Sequence, residues 1–179
     1  MKTQNQTMLS ENTLTSRPTD IIAGFPVRPG FFELNGATPL SNGVNFTAHT
    51  RHGTSCELLL FHSGEEEPFA VLPFPNACRI GDVYSMIVMG LDIEDLEYGY
   101  RIDGPYEPEK GHIFDKTKVL LDPYAKAVAG QREWGQQKIG SYHARVVRDS
   151  FDWEDMPQST RKISDLIIYE LHVRGFTQD

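Results

Sequence analysis

Carboxylates dominate the chemistry-bearing residues of this 179-residue chain, with 25 Asp and Glu against 17 Lys and Arg. Two carboxylates held close together can divide the work of general acid and general base or nucleophile. The candidates are the run Glu65–Glu67, then Asp92, Glu94 and Asp95, then Asp152, Glu154 and Asp155. All fall in polar, loop-like stretches, where solvated surface outweighs a catalytic reading. His49 and His52 stand three apart, a spacing that could begin a metal site. Nothing beside them completes the ligand set that zinc requires, so they read as turn residues. No G-x-G-x-x-G or Walker-type loop occurs, which removes nucleotide binding from consideration.

The two cysteines, Cys56 and Cys78, are too few for a disulfide framework, and no C-x-x-C is present. They read as reduced thiols of a cytoplasmic protein, with a single bridge between them the remaining alternative. The formal net charge of −8 repels phosphate backbones, which argues against a nucleic-acid partner. A neutral ligand such as a polysaccharide meets no such penalty. No apolar run approaches the ~20 residues of a membrane span. The start, "MKTQNQTMLSENTLTSRPTD", has no apolar core for a secretory signal and reads as a polar, mobile tail over residues 1–20.

The elements that would position any site are short strands. Val44, Phe46 and Ala48 alternate with Asn45, Thr47 and His49, the period of two that marks a half-buried strand. "CELLLFH" (56–62) is a second strand, and its Leu58–Leu59–Leu60 run predicts burial on both faces. "FAVLPF" (69–74), "VYSMIVMG" (83–90) and "YGYRID" (98–103) follow. Gly, Pro and Asn turns separate them, including "GATPLSNG" (36–43), which reads as turn chemistry. This rhythm predicts an antiparallel β-sandwich. From residue 104 the texture changes to an ordered loop rich in Pro and Gly. Residues 132–165 are polar and aperiodic, with a short strand expected at "ARVVR". The apolar "DLIIYELHV" (165–173) then reads as one more strand.

One string is more specific than the rest: "YGYRIDGPYEPEKGHIFDKTKVLLDPYAKAVAG" (98–130). Together with "GATPLSNGVNFTAHTRHGTSCELLLF" before it and "DLIIYELHVRGFT" after it, the chain resembles the glycogen-debranching and isoamylase-type enzymes of glycoside hydrolase family 13. The likeness runs from about Gly30 to Thr177 and departs at Asp115–Lys116, where the family usually has Asn-Pro. It implies an immunoglobulin-like module of carbohydrate-binding module family 48, mainly β, followed by a connector and a (β/α)₈ barrel whose first strand "YELHVRGFT" resembles. The implied layout is a tail (1–20), the sandwich with its docking loop (21–130), a connector (131–164) and the start of a barrel (165–179). The apolar residues of 166–173 are then expected to be exposed or borrowed by a free sheet edge.

The resemblance also implies a division of labour. Retaining glycosidases place two carboxylates about 5–5.5 Å apart, and in this family they follow later barrel strands, so no catalytic residue is assigned here. No cofactor or metal is implied, and the partners are branched α-glucan, through the parent enzyme, and the chain's own barrel. Sugar stacking would need exposed aromatics, for which Trp134, Trp153 and Tyr106 are weak candidates, with Tyr142 weaker. Both Trp fall in the connector, which favours packing between domains. The docking loop is assigned Tyr98, Tyr100, Gly104, Pro105, His112, Phe114, Asp122, Pro123 and Tyr124. Gly99 lets a neighbouring backbone approach, Pro108 and Gly111 fix a turn, and Asp122–Pro123 makes another. The function expected is the non-catalytic front of a debranching enzyme that hydrolyses α-1,6 branch linkages. The alternatives are a free-standing glucan-binding or regulatory module, and the front of a related isoamylase or branching enzyme.

On this reading the purified chain releases no reducing sugar from glycogen and is retained on glycogen weakly or not at all. A reducing-sugar assay checks the first, and its appearance would sink the assignment of catalysis to another domain. Micromolar retention abolished by Trp134→Ala would show that residue to be a true ligand contact.

Overall fold

The computed structural model describes residues 17–130, 142–148, 152, 154 and 160–177. Residues 1–16 of the tail expected over 1–20 and the connector residues Trp134 and Trp153 lie outside the described residues. The strands in chain order are β1 (Asp20–Ile22), β2 (Phe25–Pro29), β3 (Gly36–Leu40), β4 (Gly43–His49), β5 (Ser55–His62), β6 (Ala70–Pro73) and β7 (Arg79–Ile80). They continue with β8 (Val83–Met89), β9 (Leu96–Asp103), β10 (Tyr106–Glu107), β11 (His112–Ile113), β12 (Ala127–Ala129) and β13 (His143–Arg145). Every strand pairing among the described residues is antiparallel. The first sheet runs β1-β2-β8-β4-β3 with β7 also on β8, the second runs β12-β13-β9-β5-β6, and β10-β11 form a separate hairpin.

The two sheets bury one core between them. Val27, Val44, Phe46, Met86 and Val88 of the first meet Leu58, Leu60, Leu72, Tyr98 and Tyr100 of the second. The Phe46 and Tyr98 rings meet edge to face with centroids 5.2 Å apart, an arrangement worth about 0.5–1.5 kcal/mol beyond the area buried. Period two explains the membership: even residues of β4, β5, β8 and β9 point inward. The Leu58–Leu60 run is buried throughout, with Leu59 and Phe61 covered on the opposite face. Odd residues of β8 are covered as well, Ile87 and Met89 packing with Leu40 and Phe31. Both cysteines are buried in the main core and unpaired. Burial, then the charge of Glu57, pushes the Cys56 thiol up to about 12; burial, then Asp20, pushes Cys78 up to about 11.

Several expectations are corrected. "GATPLSNG" is mostly strand: Gly36–Leu40 form β3, and only Ser41 and Asn42 make the turn. Pro39 is tolerated because β3 is an edge strand, where a missing N–H breaks no ladder. Asp20–Ile22 and Phe25–Pro29 pair as a hairpin, β1-β2, so Asp20, at the end of the expected tail, is already in a strand. Within the expected connector, His143–Arg145 belong to the second sheet, pairing with β9 and β12.

The chain divides into two units, one reaching to Arg148 and one starting at Asp149. In the second, the strand expected over 165–173 does not form. Ile163–Asp165 make a single 3-10 turn, 166–172 carry no regular hydrogen-bonded structure, and Val173–Thr177 form a short helix. A strand is stable only when a neighbour takes its backbone hydrogen bonds, and no described residue does so. Of the two outcomes expected for this segment, exposure is the one found: Ile167 is 99% exposed, and Ile168, Tyr169 and Val173 are also open.

Gly99 is confirmed as a close-approach position, since a Cβ there would lie 2.6 Å from Val119 Cγ1 and 3.3 Å from the Leu120 carbonyl oxygen. Gly99→Ala is therefore expected to cost about 1–3 kcal/mol through overpacking, read as a lowered midpoint in urea. An unchanged midpoint would show that the loop yields freely.

Candidate functional site

The residues assigned to docking converge on one feature, a turn-rich loop clamped to the second sheet. The clamp begins at Tyr100, whose N–H and C=O exchange bonds with Leu120 at 3.0 and 2.7 Å. β13 pairs β9 only at Glu97 and Tyr98, so Leu120 continues the ladder where β13 leaves it. The next two residues complete the anchor. Asp122 is buried and accepts the Tyr98 phenol O–H at 2.7 Å on Oδ2. Its Oδ1 accepts the Tyr124 N–H at 2.8 Å, and its backbone carbonyl accepts the Ala125 N–H at 3.1 Å. This is an Asx-type turn, made where Asp-Pro leads a chain reversal. Gly36 of β3 lies beneath it, with room for no Cβ: one would sit 3.0 Å from Tyr124 Cβ.

Burial pushes the Asp122 carboxyl above the ordinary carboxylate value, against the opposing hydrogen bonds from Tyr124 and Tyr98. Burial, and then the neighbouring Asp122, pushes the Tyr98 phenol up, so it remains a protonated donor.

Around this anchor lies a pocket of ≈ 240 Å³ between the end of β4 (Thr47 to Thr50) and the loop residues Phe114 and Leu120 to Tyr124. Small-molecule pockets are usually larger, roughly 300–1,000 Å³. Its apolar walls are Ala48, Ile102, Phe114, Leu120, Leu121 and Pro123, and Thr47, His49, Thr50, Tyr100, Asp122 and Tyr124 add polar groups. Phe114 is held by Gly104, where a Cβ would lie 2.7 Å from the ring. The His52 and His112 rings meet at 4.6 Å, which ties the β10-β11 hairpin to the turn after β4. On that hairpin Tyr106 and Ile113 are directly paired, and they are 71% and 69% exposed.

Of the assigned residues, Phe114, Asp122, Pro123 and Tyr124 line this pocket together with Tyr100. Gly104 and Pro105 are half-buried behind it, and His112 is half-buried beside His52. Tyr98 and Tyr100 are corrected: both are core residues, at 0% and 2% exposure, and of the two only Tyr100 contributes to the pocket lining. They face inward because they share the inward parity of Leu58 and Leu60 across the ladder. Their part is to hold the loop, not to offer it. Val119, Leu120, Leu121 and the end of β4 were not assigned from sequence. The Leu120–Leu121 doublet in a polar loop was the available signal. Glu65–Glu67, Asp92, Glu94, Asp95, Asp152 and Glu154 are all exposed, and Asp155 lies outside the described residues.

Residues 35–125, just over half of the chain, match the family carbohydrate-binding module 48 (isoamylase N-terminal domain). The chain belongs to that family. The module is 35% identical over 170 residues to isoamylase SU1, chloroplastic, of Zea mays, a match covering 88% of this chain and 21% of that protein. It is 35% identical over 156 residues to the glycogen debranching enzyme of Salmonella typhi, covering 80% of this chain and 23% of that protein. The module thus spans about a fifth of the length of these relatives. Among solved structures, pullulanase type I from Bacillus subtilis str. 168, complexed with maltose, superposes with a TM-score of 0.53 and 21% identity. That match covers 82% of this chain and 17% of the pullulanase and shows the sandwich fold. No helix among the described residues is long and apolar enough to cross a membrane.

The Asp122 anchor predicts a pH dependence. Unfolding lets the carboxyl ionise at its ordinary, lower pKa, so the unfolded state releases the proton first. The stability contributed is full below the ordinary value, about 4, and is lost as pH rises through the raised folded value. Asp122→Asn cannot ionise and keeps an acceptor, so its unfolding free energy is expected to fall less with rising pH above that point. Parallel pH profiles for the two proteins would sink this account. Asp122→Ala strands the buried Tyr98 hydroxyl and is expected to cost about 1–3 kcal/mol at any pH.

Proposed function

We propose that this module is the non-catalytic N-terminal part of a hydrolase that cleaves α-1,6 branch linkages in glycogen-like α-glucans. In this reading the module supports a catalytic barrel, and the barrel carries both catalytic carboxylates. The observation that carries it is an anchored loop with a small, mostly apolar pocket, rimmed by exposed Leu121, Pro123 and Tyr124. Such a small socket, whose exposed lining is mostly apolar, suits a side chain from a second domain better than a sugar ring. The match to debranching enzymes and isoamylases of which it covers only 21% and 23% supports the same reading. Within it, Gly104, Pro105, His112, Phe114, Pro123 and Tyr124 form the docking surface, and "YELHVRGFT" becomes the first barrel strand once its neighbours are present. The buried, unpaired thiols of Cys56 and Cys78 support a reducing, cytoplasmic setting.

The test extends the reading frame beyond Asp179 and compares the longer protein with this chain. The longer protein is expected to release branches from glycogen, and this chain is expected to release none. Leu121→Ser and Tyr124→Ser should leave the melting point of this chain nearly unchanged, since both side chains are exposed. In the longer protein each should weaken the interdomain contact by about 2 kcal/mol, as truncation of a buried anchor does, and lower activity and thermal midpoint together. A longer protein inert toward branched glucans would overturn the function. Substitutions harmless in both proteins would overturn the docking face.

A further inference from the structure

The pocket beside the anchored loop leaves two of its polar groups incompletely matched. Tyr100 lines it at 2% exposure, and its hydroxyl oxygen is buried with no hydrogen-bond partner among the described residues. Asp122 lines it at 3% exposure, and its side chain accepts from two neutral donors, the Tyr98 phenol and the Tyr124 N–H. No ion pair joins Asp122 to a cation among the described residues. The lysines of the same loop turn to other carboxylates, Lys116 to Asp103 at 3.9 Å and Lys118 to Asp115 at 3.6 Å. A buried hydroxyl without a partner and a buried carboxylate without a counter-charge both cost free energy. Burial, then the charge of Asp122, pushes the Tyr100 phenol far up, so it stays protonated within the field of that carboxylate.

We propose that this pocket receives an arginine side chain from the second domain, with its guanidinium donating to the Asp122 carboxylate and the Tyr100 hydroxyl oxygen. That a second domain supplies it rests on the function proposed above. That it is a guanidinium rests on the pocket itself. Long cationic side chains bury their methylene stems along apolar surface, and Ala48, Ile102, Phe114 and Leu120 provide that surface here. Each Asp122 oxygen accepts one bond and keeps a further lone pair for an incoming N–H. A neutral amide would leave the carboxylate charge uncompensated, and a second carboxylate would be repelled. The formal net charge of −8 favours a basic partner in the same sense. A guanidinium has the advantage over an ammonium. Its planar fork reaches two acceptors at once and stacks on aromatic faces, which Phe114 and Tyr124 supply in the pocket lining. The volume of ≈ 240 Å³ is of the size of a single side chain.

The test titrates the full 179-residue chain with n-butylguanidinium chloride at constant ionic strength, followed through the amide resonance of Tyr124, whose N–H bonds to Asp122. A saturable shift with a midpoint on the order of 10 mM is expected. n-Butylammonium should bind about threefold more weakly, and neutral pentanamide about tenfold more weakly. Asp122→Asn keeps an acceptor for Tyr98 but removes the charge, and should weaken the probe about fivefold or more. Tyr100→Phe deletes a hydroxyl that has no partner, so the fold is kept, and should weaken the probe about twofold. A flat titration, equal affinity for pentanamide, or unchanged affinity in both variants overturns the arginine socket. The longer protein, with its socket filled, should show no shift at Tyr124, and a shift equal to that of this chain overturns the proposal as well. If the longer protein debranches glycogen while this chain ignores the probe, the arginine socket alone falls. If this chain binds the probe and the longer protein neither binds it nor debranches glycogen, the proposed function alone falls.

Discussion

A phenol buried in the middle of a sandwich needs an acceptor, and Tyr98 finds one in the Asp122 carboxylate 2.7 Å away. The bond joins a core strand to a loop 24 residues further along the chain. It decides where Pro123 and Tyr124 point, and with them the rim of the pocket. Neither group is well off alone: an unpaired buried hydroxyl or carboxylate costs more than the bond returns. The pair is thus stable only when the loop is closed. The Tyr100–Leu120 bridge and the contact of Gly99 with Val119 lock the same loop on its approach.

The module is also covered beyond its central core. β5 buries Leu59 and Phe61 on the face turned away from the other sheet, beside Glu97 and His143, which are themselves buried. Glu97 Oε1 accepts from Ser63 Oγ and the Gly64 N–H, its Oε2 pairs with His143 Nδ1 at 3.1 Å, and the His143 ring stacks on Phe61. In the first sheet, Asn45, Thr47 and Ser85 form a buried polar cluster on the outer face that holds Phe31 and its loop, with Asn45 Oδ1 accepting the Phe31 N–H at 2.8 Å. Parts of both outer faces are thus covered by polar groups that find partners within the chain.

Much of this architecture was legible because strand periodicity is a local property. β4, β5, β8 and β9 announce themselves through alternation, and the Leu58–Leu60 run correctly signalled burial on two faces. β3 was not legible, because Gly36, Pro39 and the following Ser-Asn are turn residues by preference. Only the edge position in the sheet makes a proline there harmless. The segment 165–173 failed in the opposite sense. Its apolar content is that of a strand, but strand formation depends on a neighbour, and none of the described residues supplies one. Tyr98 and Tyr100 were placed in the right loop system and given the wrong face, since membership of a motif does not say which way a side chain points.

The amino-acid sequence by itself determined the class of the fold, the family, the closeness of the backbone at Gly99 and the turn at Asp122–Pro123. Each of these depends on residues close in sequence or on a contiguous motif. Only the tertiary structure decided that Tyr98 spends its hydroxyl on Asp122 and that the end of β4 completes a pocket with the loop. Those contacts join residues tens of positions apart. Their energies depend on burial and on interatomic distance, neither of which exists until the sheets have packed.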